Sequence, residues 1–347
     1  MRSDSYGPTP ASGRWRRALT WCLLPPLLAW AVLASVYLDH WPHVLRGVLA
    51  LVWLWLGWRV LRARHRASGA RWAGAALLAW LGFLAGWSLQ APRQDRLWAD
   101  DVARLLQAQV QGDTVVLENV RDFRWRSDTD YDVRWETRRY DLSQLRSADL
   151  ALSYWMGPAI AHTLVSFGFA DGRHLVFSLE IRKERGEAFS ALGGFFRQYE
   201  ETLVAAEEDD ILRVRTNVRG EDMWLYRLNL PPAALRQLFL AYLDKAGALR
   251  ARPAFYNTVM SNCTTVIFQL ARRIDARLPL DWRLLLSGYF DRYVADHGGL
   301  MPGIDFATLR ARGHITAKAR AVGEGEDFSR AIRVGVPGEV GRRGAAR

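Results

Sequence analysis

Cys263 is one of two cysteines in the 347-residue chain, and its surroundings are those of a nucleophile rather than of a buried apolar filler. From Cys263 onward Val266, Ile267, Leu270 and Ile274 recur at helical spacing, while Ser261 and Asn262 just ahead are residue types that cap helix N-termini. The thiol is thus predicted in the first turn of a helix, where the positive end of the dipole favours thiolate over thiol. The other cysteine, Cys22, lies in an apolar N-terminal run, so Cys263 has no partner for an intramolecular disulfide.

A thiol nucleophile needs a base, and the chain supplies few. Of seven histidines, His40, His43 and His65 lie in or beside the apolar N-terminal part, leaving His162, His174, His297 and His314. His162 opens a β-rich run ending at Ala170, followed by Asp171-Gly172 and a second run from Arg173 to Arg182, the pattern of a hairpin. With a two-residue loop His162 shares a face with Leu179 and Ile181. With a three-residue loop closed by a glycine bulge it shares one with Ser178, Glu180 and Arg182. The second register is preferred, because a catalytic imidazole needs a polar neighbour to fix its tautomer, and Glu180 or Ser178 can serve. The competing role for Glu180 is a surface ion pair with Arg182 or Arg213.

Several stretches together carry a resemblance: His162-Thr-Leu-Val-Ser-Phe-Gly-Phe169, Phe177-Ser-Leu-Glu-Ile-Arg-Lys-Glu-Arg-Gly-Glu187, Phe195-Phe-Arg-Gln-Tyr-Glu200, Arg215-Thr-Asn-Val-Arg-Gly-Glu-Asp222, and Tyr256-Asn-Thr258 with Asn262-Cys-Thr-Thr265. In this order they resemble the Lnb N-terminal periplasmic domain family. The resemblance implies an α+β, permuted papain-like domain, akin to NlpC peptidases and lecithin:retinol acyltransferase, with an antiparallel sheet packed on the Cys-bearing helix. One branch of that family transfers an acyl chain to the amino group of bacterial lipoproteins through a Cys-His pair, and by resemblance that pair falls on Cys263 and His162. Asn262, Thr264, Tyr256, Asn257, Trp155 and Arg182 become candidates for the oxyanion pocket or the site wall, with backbone amides at the helix start as further donors.

The elements that must position these groups begin with an apolar N-terminal third. Apolar stretches run over Ala18–Leu38, Val44–Leu61 and Ala73–Leu89, and read as three transmembrane helices (18–89) behind a cytoplasmic arm (1–17) that is not a cleavable signal peptide. Arginines at 14, 16 and 17 and at 62, 64, 66 and 71 set the orientation: N-terminus cytoplasmic, everything after about Gln90 periplasmic, in a bacterial inner membrane. The formal net charge of +11 is spread through the chain with no nucleic-acid motif, and points to anionic headgroups rather than to nucleic acid. No His or Cys spacing calls for a metal, and no cofactor is implied.

Residues 90–112 are expected to form an amphipathic connecting helix, 113–335 the periplasmic domain, and 336–347 a disordered tail. Within the domain, Thr114–Val120, Phe123–Arg126, Val133–Tyr140, Ile211–Thr216 and Met223–Leu230 read as strands, and Pro231-Pro232 opens a helix reaching about Lys245. Glu207-Glu-Asp-Asp210 reads as a solvated acidic turn. The leading functional expectation is a membrane-anchored thiol acyltransferase acting on membrane lipids or lipoproteins. The rivals are a cell-envelope peptidase or amidase using the same dyad, and a non-catalytic scaffold module.

Overall fold

A computed structural model describes residues 11–38, 41–66, 68–323 and 325–339. The chain divides into two units: residues 1–92 with 192–198, and residues 93–191 with 199–347.

The first unit holds three helices, α1 (Ala11–Val36), α2 (His43–Ala63) and α3 (Gly69–Ser88). Among the described residues only α2 is long and apolar enough to cross a membrane, which corrects the expectation of three spans. In α1 the apolar part within the described side chains is the 16-residue Trp21–Val36, which also contains Pro25 and Pro26. In α3 the apolar residues are diluted by glycine, by Arg71 and by three tryptophans. Leu24, Leu28 and Ala31 of α1 pack against Trp53, Leu56 and Val60 of α2, while Val48, Leu51, Val52, Leu54 and Trp55 of α2 point outward. A helix with apolar residues on its outer face suits an apolar surrounding. The segment Leu192–Gln198 belongs to this unit, with the Phe196 ring stacked on Tyr37 at 5.4 Å and the Arg197 guanidinium 4.1 Å over Trp87.

The second unit is α+β, built on an eight-stranded, mostly antiparallel sheet. Its strands are β1 (Gln107–Gln111), β2 (Thr114–Arg121), β5 (Trp135–Asp141), β6 (Leu145–Tyr154), β7 (Ala161–Phe169), β8 (His174–Arg182), β9 (Glu200–Ala206) and β10 (Asp222–Arg227). A separate pair consists of β3 (Arg124–Trp125) and β4 (Tyr131–Asp132). The order is β1-β2-β9-β8-β7-β6-β10 with β5 also on β2, and only the short β2–β9 contact is parallel. Helices α5 (Pro232–Ala251) and α6 (Cys263–Ile274) cover one face, where Val165, Phe167 and Phe177 meet Phe239 and Tyr242. The other face is covered by α4 (Glu208–Arg213) and, past α7 (Phe290–Asp296) and α8 (Phe306–Gly313), by α9 (Thr316–Ala321) and α10 (Phe328–Arg333). Cover on both sides explains why β7 and β9 read as nearly continuous apolar runs.

Three sequence expectations fail here. Residues 95–112 are not a helix: a 3-10 turn at Asp100–Val102 is followed by β1, because Gly112 takes φ +61° and closes a tight hairpin onto β2. Ile211–Thr216 is helical, because the acidic residues before it open α4 at its N-terminus, where the helix dipole favours negative charge. Those acids are also not a solvated turn. Glu208 and Asp210 are fully buried, Asp210 on Arg121 (2.8 Å) and Glu208 on Arg333 (2.6 Å). Of the expected tail, Val336 is buried in the second core, and residues 340–347 lie outside the described residues.

Arg333 also binds Asp149 of β6 at 2.8 Å, so one guanidinium ties α10 to both α4 and the sheet. Burial alone would raise the Glu208 carboxyl, but Arg333 overrides it and holds it at about 2. The stabilisation is therefore complete above the ordinary glutamate value of 4.5 and is lost as pH falls through about 2. Arg333→Met strands the buried Glu208 carboxylate and leaves Asp149 to Arg227 alone, and is expected to cost about 3–5 kcal/mol in denaturant unfolding at pH 7, part of it recovered by adding Glu208→Gln. An unchanged unfolding midpoint would show that the cluster carries no stability.

Candidate active site

The α6 N-terminus is built by its cap. Asn262 is extended, and its side-chain oxygen accepts from the N–H groups of Thr264 (3.0 Å) and Thr265 (2.8 Å), while the Thr265 hydroxyl accepts from the Asn262 N–H (2.8 Å). The first-turn amides are thereby committed, except that of Cys263, for which no acceptor is found among the described residues. The expected set of oxyanion amides narrows to one, the N–H of the nucleophile itself. Asn262 is fully occupied as well, because its amide donates to the Thr258 carbonyl at 2.8 Å.

The β7–β8 hairpin adopts the three-residue register. Phe169 and Arg173 close the loop Ala170–Gly172, with Gly172 at φ +91°, a value that L side chains rarely take. Ladder pairing starts at Gly168–His174 and ends at Leu164–Ser178, although β7 begins at Ala161 and β8 runs on to Arg182. Beyond Leu164 the two strands part. His162, which alternation places on the face of Leu164 and Ser166, stands at this opening, and so do Ser178 and Glu180. The opening lets the α6 N-terminus, which packs on the opposite face, reach the imidazole.

At the opening His162 Nε2 lies 2.7 Å from Ser178 Oγ and 3.2 Å from Glu180 Oε1, and the Ser178 hydroxyl donates to the same carboxylate oxygen at 2.7 Å. Nε2 is thus engaged on the carboxylate side. Burial and Arg215 oppose the protonated ring, but the Glu180 carboxylate and the Cys263 sulfur outweigh them and raise it to about 9. Burial likewise disfavours the thiolate. The His162 charge and hydrogen bond, helped by Thr163, pull the thiol down to about 7. Desolvation also lies against the Glu180 carboxylate, yet His162 and Arg215 keep it well below the usual range. Both shifts run in the direction that favours a thiolate facing an imidazolium.

These groups line a pocket of about 480 Å³ whose wall is partly apolar, including Trp155, Met156, Ile160 and Phe189. Trp155 and Phe189 meet edge to face at 5.2 Å. Of the sequence candidates, Cys263, His162, Glu180, Asn262, Tyr256 and Trp155 line it, and Ser178 stands directly behind the ring. Burial keeps the Tyr256 phenol neutral, an O–H donor at the wall. Three candidates serve elsewhere. Arg182 donates to the Val102 and Ala103 carbonyls under the Trp98 ring. Asn257 caps the turn ahead of α6 by accepting from Val259 and Met260. Thr264 pairs with Thr163 at 3.0 Å, bracing helix against strand.

Sequence reasoning missed Arg215 and Glu221, which also line the pocket. Arg215 donates to Glu180 (3.1 Å) and Glu221 (3.2 Å). The signal was present in the Arg215–Asp222 motif, but reading its approach as a strand hid the direction of the guanidinium.

Alkylation of Cys263 by iodoacetamide, followed on its own peptide by mass spectrometry, is expected to be half-maximal near pH 7. His162→Ala should move that midpoint up toward or beyond the free-cysteine value of about 8.5, because burial is then opposed by Thr163 alone. Coincident profiles for the two proteins would show that the ring does not activate the thiol.

Residues 131–288 match the model of the Lnb N-terminal periplasmic domain. No match emerges among curated proteins or among solved structures. The matched stretch includes His162, Ser178, Glu180, Arg215 and Cys263. The match covers somewhat less than half of the chain, and over that segment the chain is similar to the Lnb N-terminal periplasmic domain.

Proposed function

We propose that this protein is a membrane-anchored, periplasmic thiol acyltransferase. The supporting observation is the buried Cys263–His162 pair, backed by Ser178 and Glu180, in a partly apolar pocket. The Cys263 thiolate attacks the carbonyl of an ester or thioester. The developing oxyanion is received by the Cys263 N–H, with the Tyr256 hydroxyl as a second donor at the wall. The imidazolium gives its proton to the departing alcohol or thiol, leaving an acyl-enzyme and a neutral ring. The ring then takes a proton from the incoming acceptor as it attacks the acyl carbon, and the thiolate is released. Glu180 stays ionised throughout and holds the ring's orientation.

The domain is read as a permuted papain-like fold, since a helix N-terminal cysteine meets a histidine on an antiparallel sheet. The apolar α2 supports a membrane anchor, and a membrane-held site with apolar walls suits lipid or lipoprotein substrates. Rate against pH is expected to be bell-shaped, rising near 7 as the thiol ionises and falling near 9 as the ring loses its proton.

The test is to incubate the full-length protein in detergent with radiolabelled phospholipid and an amine-bearing lipopeptide, then to look for an acyl group on Cys263 by mass spectrometry. An adduct that disappears as the lipopeptide becomes acylated supports the proposal. An adduct resolved only by water makes the protein a hydrolase. No adduct, together with an unaltered envelope phenotype for Cys263→Ala in cells, would leave a scaffold role in its place.

A further inference from the structure

We propose that Arg215 is a positioning residue of the thiol site: clamped between Glu180 and Glu221, its guanidinium aims the Glu180 carboxylate at His162 and supplies the buried positive charge that balances it. The side chain is 7% exposed, and its two Nη groups reach one carboxylate each, at 3.1 Å to Glu180 and 3.2 Å to Glu221. Glu221 is itself fixed by the Ser153 hydroxyl at 2.5 Å. A relay runs from β6 through Ser153, Glu221, Arg215 and Glu180 to the ring on β7. A carboxylate held from one side only could rotate away from the imidazole. Held by Ser178 and Arg215 together, its Oε1 stays within 3.2 Å of Nε2.

The backbone under Arg215 carries an independent sign of function. Past α4 the chain enters a π-helical turn, Val214–Val218, in which the Arg219 N–H reaches back to the Val214 carbonyl at 2.9 Å. Such turns are rare and concentrate at functional sites, since the wider backbone has less favourable geometry than the α-helix it interrupts. Here it carries the one guanidinium that contacts Glu180 among the described residues.

Electrostatics give the arrangement a purpose. His162 and Cys263 face Glu180 on β8, Arg215 on the π turn and the neutral Tyr256 ahead of α6. Farther round the wall, Lys183 pairs with Asp101 (3.3 Å) and Arg219 with Asp128 (3.2 Å). Those pairs are internally neutral, so Arg215 and Glu221 are the charges left to tune the dyad. Without Arg215, the bare Glu180 carboxylate would bind the imidazolium proton too firmly for release to a leaving group.

This inference rests on the thiol–imidazole reading, and its test needs no substrate. The pH profile of iodoacetamide alkylation at Cys263 is measured for the full-length protein in detergent, with Arg215→Met, Arg215→Lys and Glu221→Gln. Arg215→Met removes a cation and should move the profile to higher pH by roughly half a unit to one unit, whereas Arg215→Lys keeps the charge and should stay close to wild type. Glu221→Gln removes an anion and should move it to lower pH. Opposite signs cannot come from general loosening of the fold. The inference is overturned if a folded Arg215→Met superimposes on wild type. Should that variant fail to fold, Glu221→Gln decides, and a profile that does not move downward rejects the role. A wild-type midpoint near 8.5 would instead remove the dyad itself, and this inference with it, a result distinct from an unmoved variant.

Discussion

The site depends on an ion pair that water would weaken. A thiolate and an imidazolium are each disfavoured by burial; the Glu180 carboxylate and the Cys263 sulfur favour the protonated ring, and the ring in turn favours the thiolate. Every element around it meets one of two needs: to bring sulfur and ring together, or to keep them out of water. The capping box of α6 sets the sulfur at the first helical position. The parting of β7 and β8 beyond Leu164 opens the sheet so that a ring on one face and a helix on the other can meet.

The same logic recurs farther along the face of the sheet that carries His162. Arg121 with Asp210 and Arg333 with Glu208 and Asp149 are buried ion pairs holding α4 and α10 against β2 and β6. The π turn that carries Arg215 grows directly from α4. Stability and chemistry thus share a scaffold: the pairs that fix α4 also fix the approach of Arg215 to Glu180.

That Cys263 and His162 come to one pocket was legible in the chain because both sit at local signals, a cap sequence before Cys263 and a hairpin turn after His162. The register was legible for a chemical reason, since only the three-residue loop gives the imidazole a polar neighbour. Roles set by partners distant in sequence were not. Arg182 looked like a site residue by alternation, yet it is claimed by the carbonyls of Val102 and Ala103, some eighty positions away. Glu208 and Asp210 looked solvated, and their partners lie 125 and 89 positions away. The membrane part was overread for another reason: long runs of alanine, glycine and tryptophan resemble spans by eye, but among the described residues only α2 has the apolar content over enough length.

The central claim is that His162 is an imidazolium because a thiolate faces it. Its most direct measure is the titration of the His162 ring by 15N NMR in the full-length protein, set against Cys263→Ala. The account predicts a ring that holds its proton to about pH 9 and titrates clearly lower once the sulfur is removed. A ring that titrates at or below 6.5 in the wild type and is indifferent to the loss of Cys263 would contradict it.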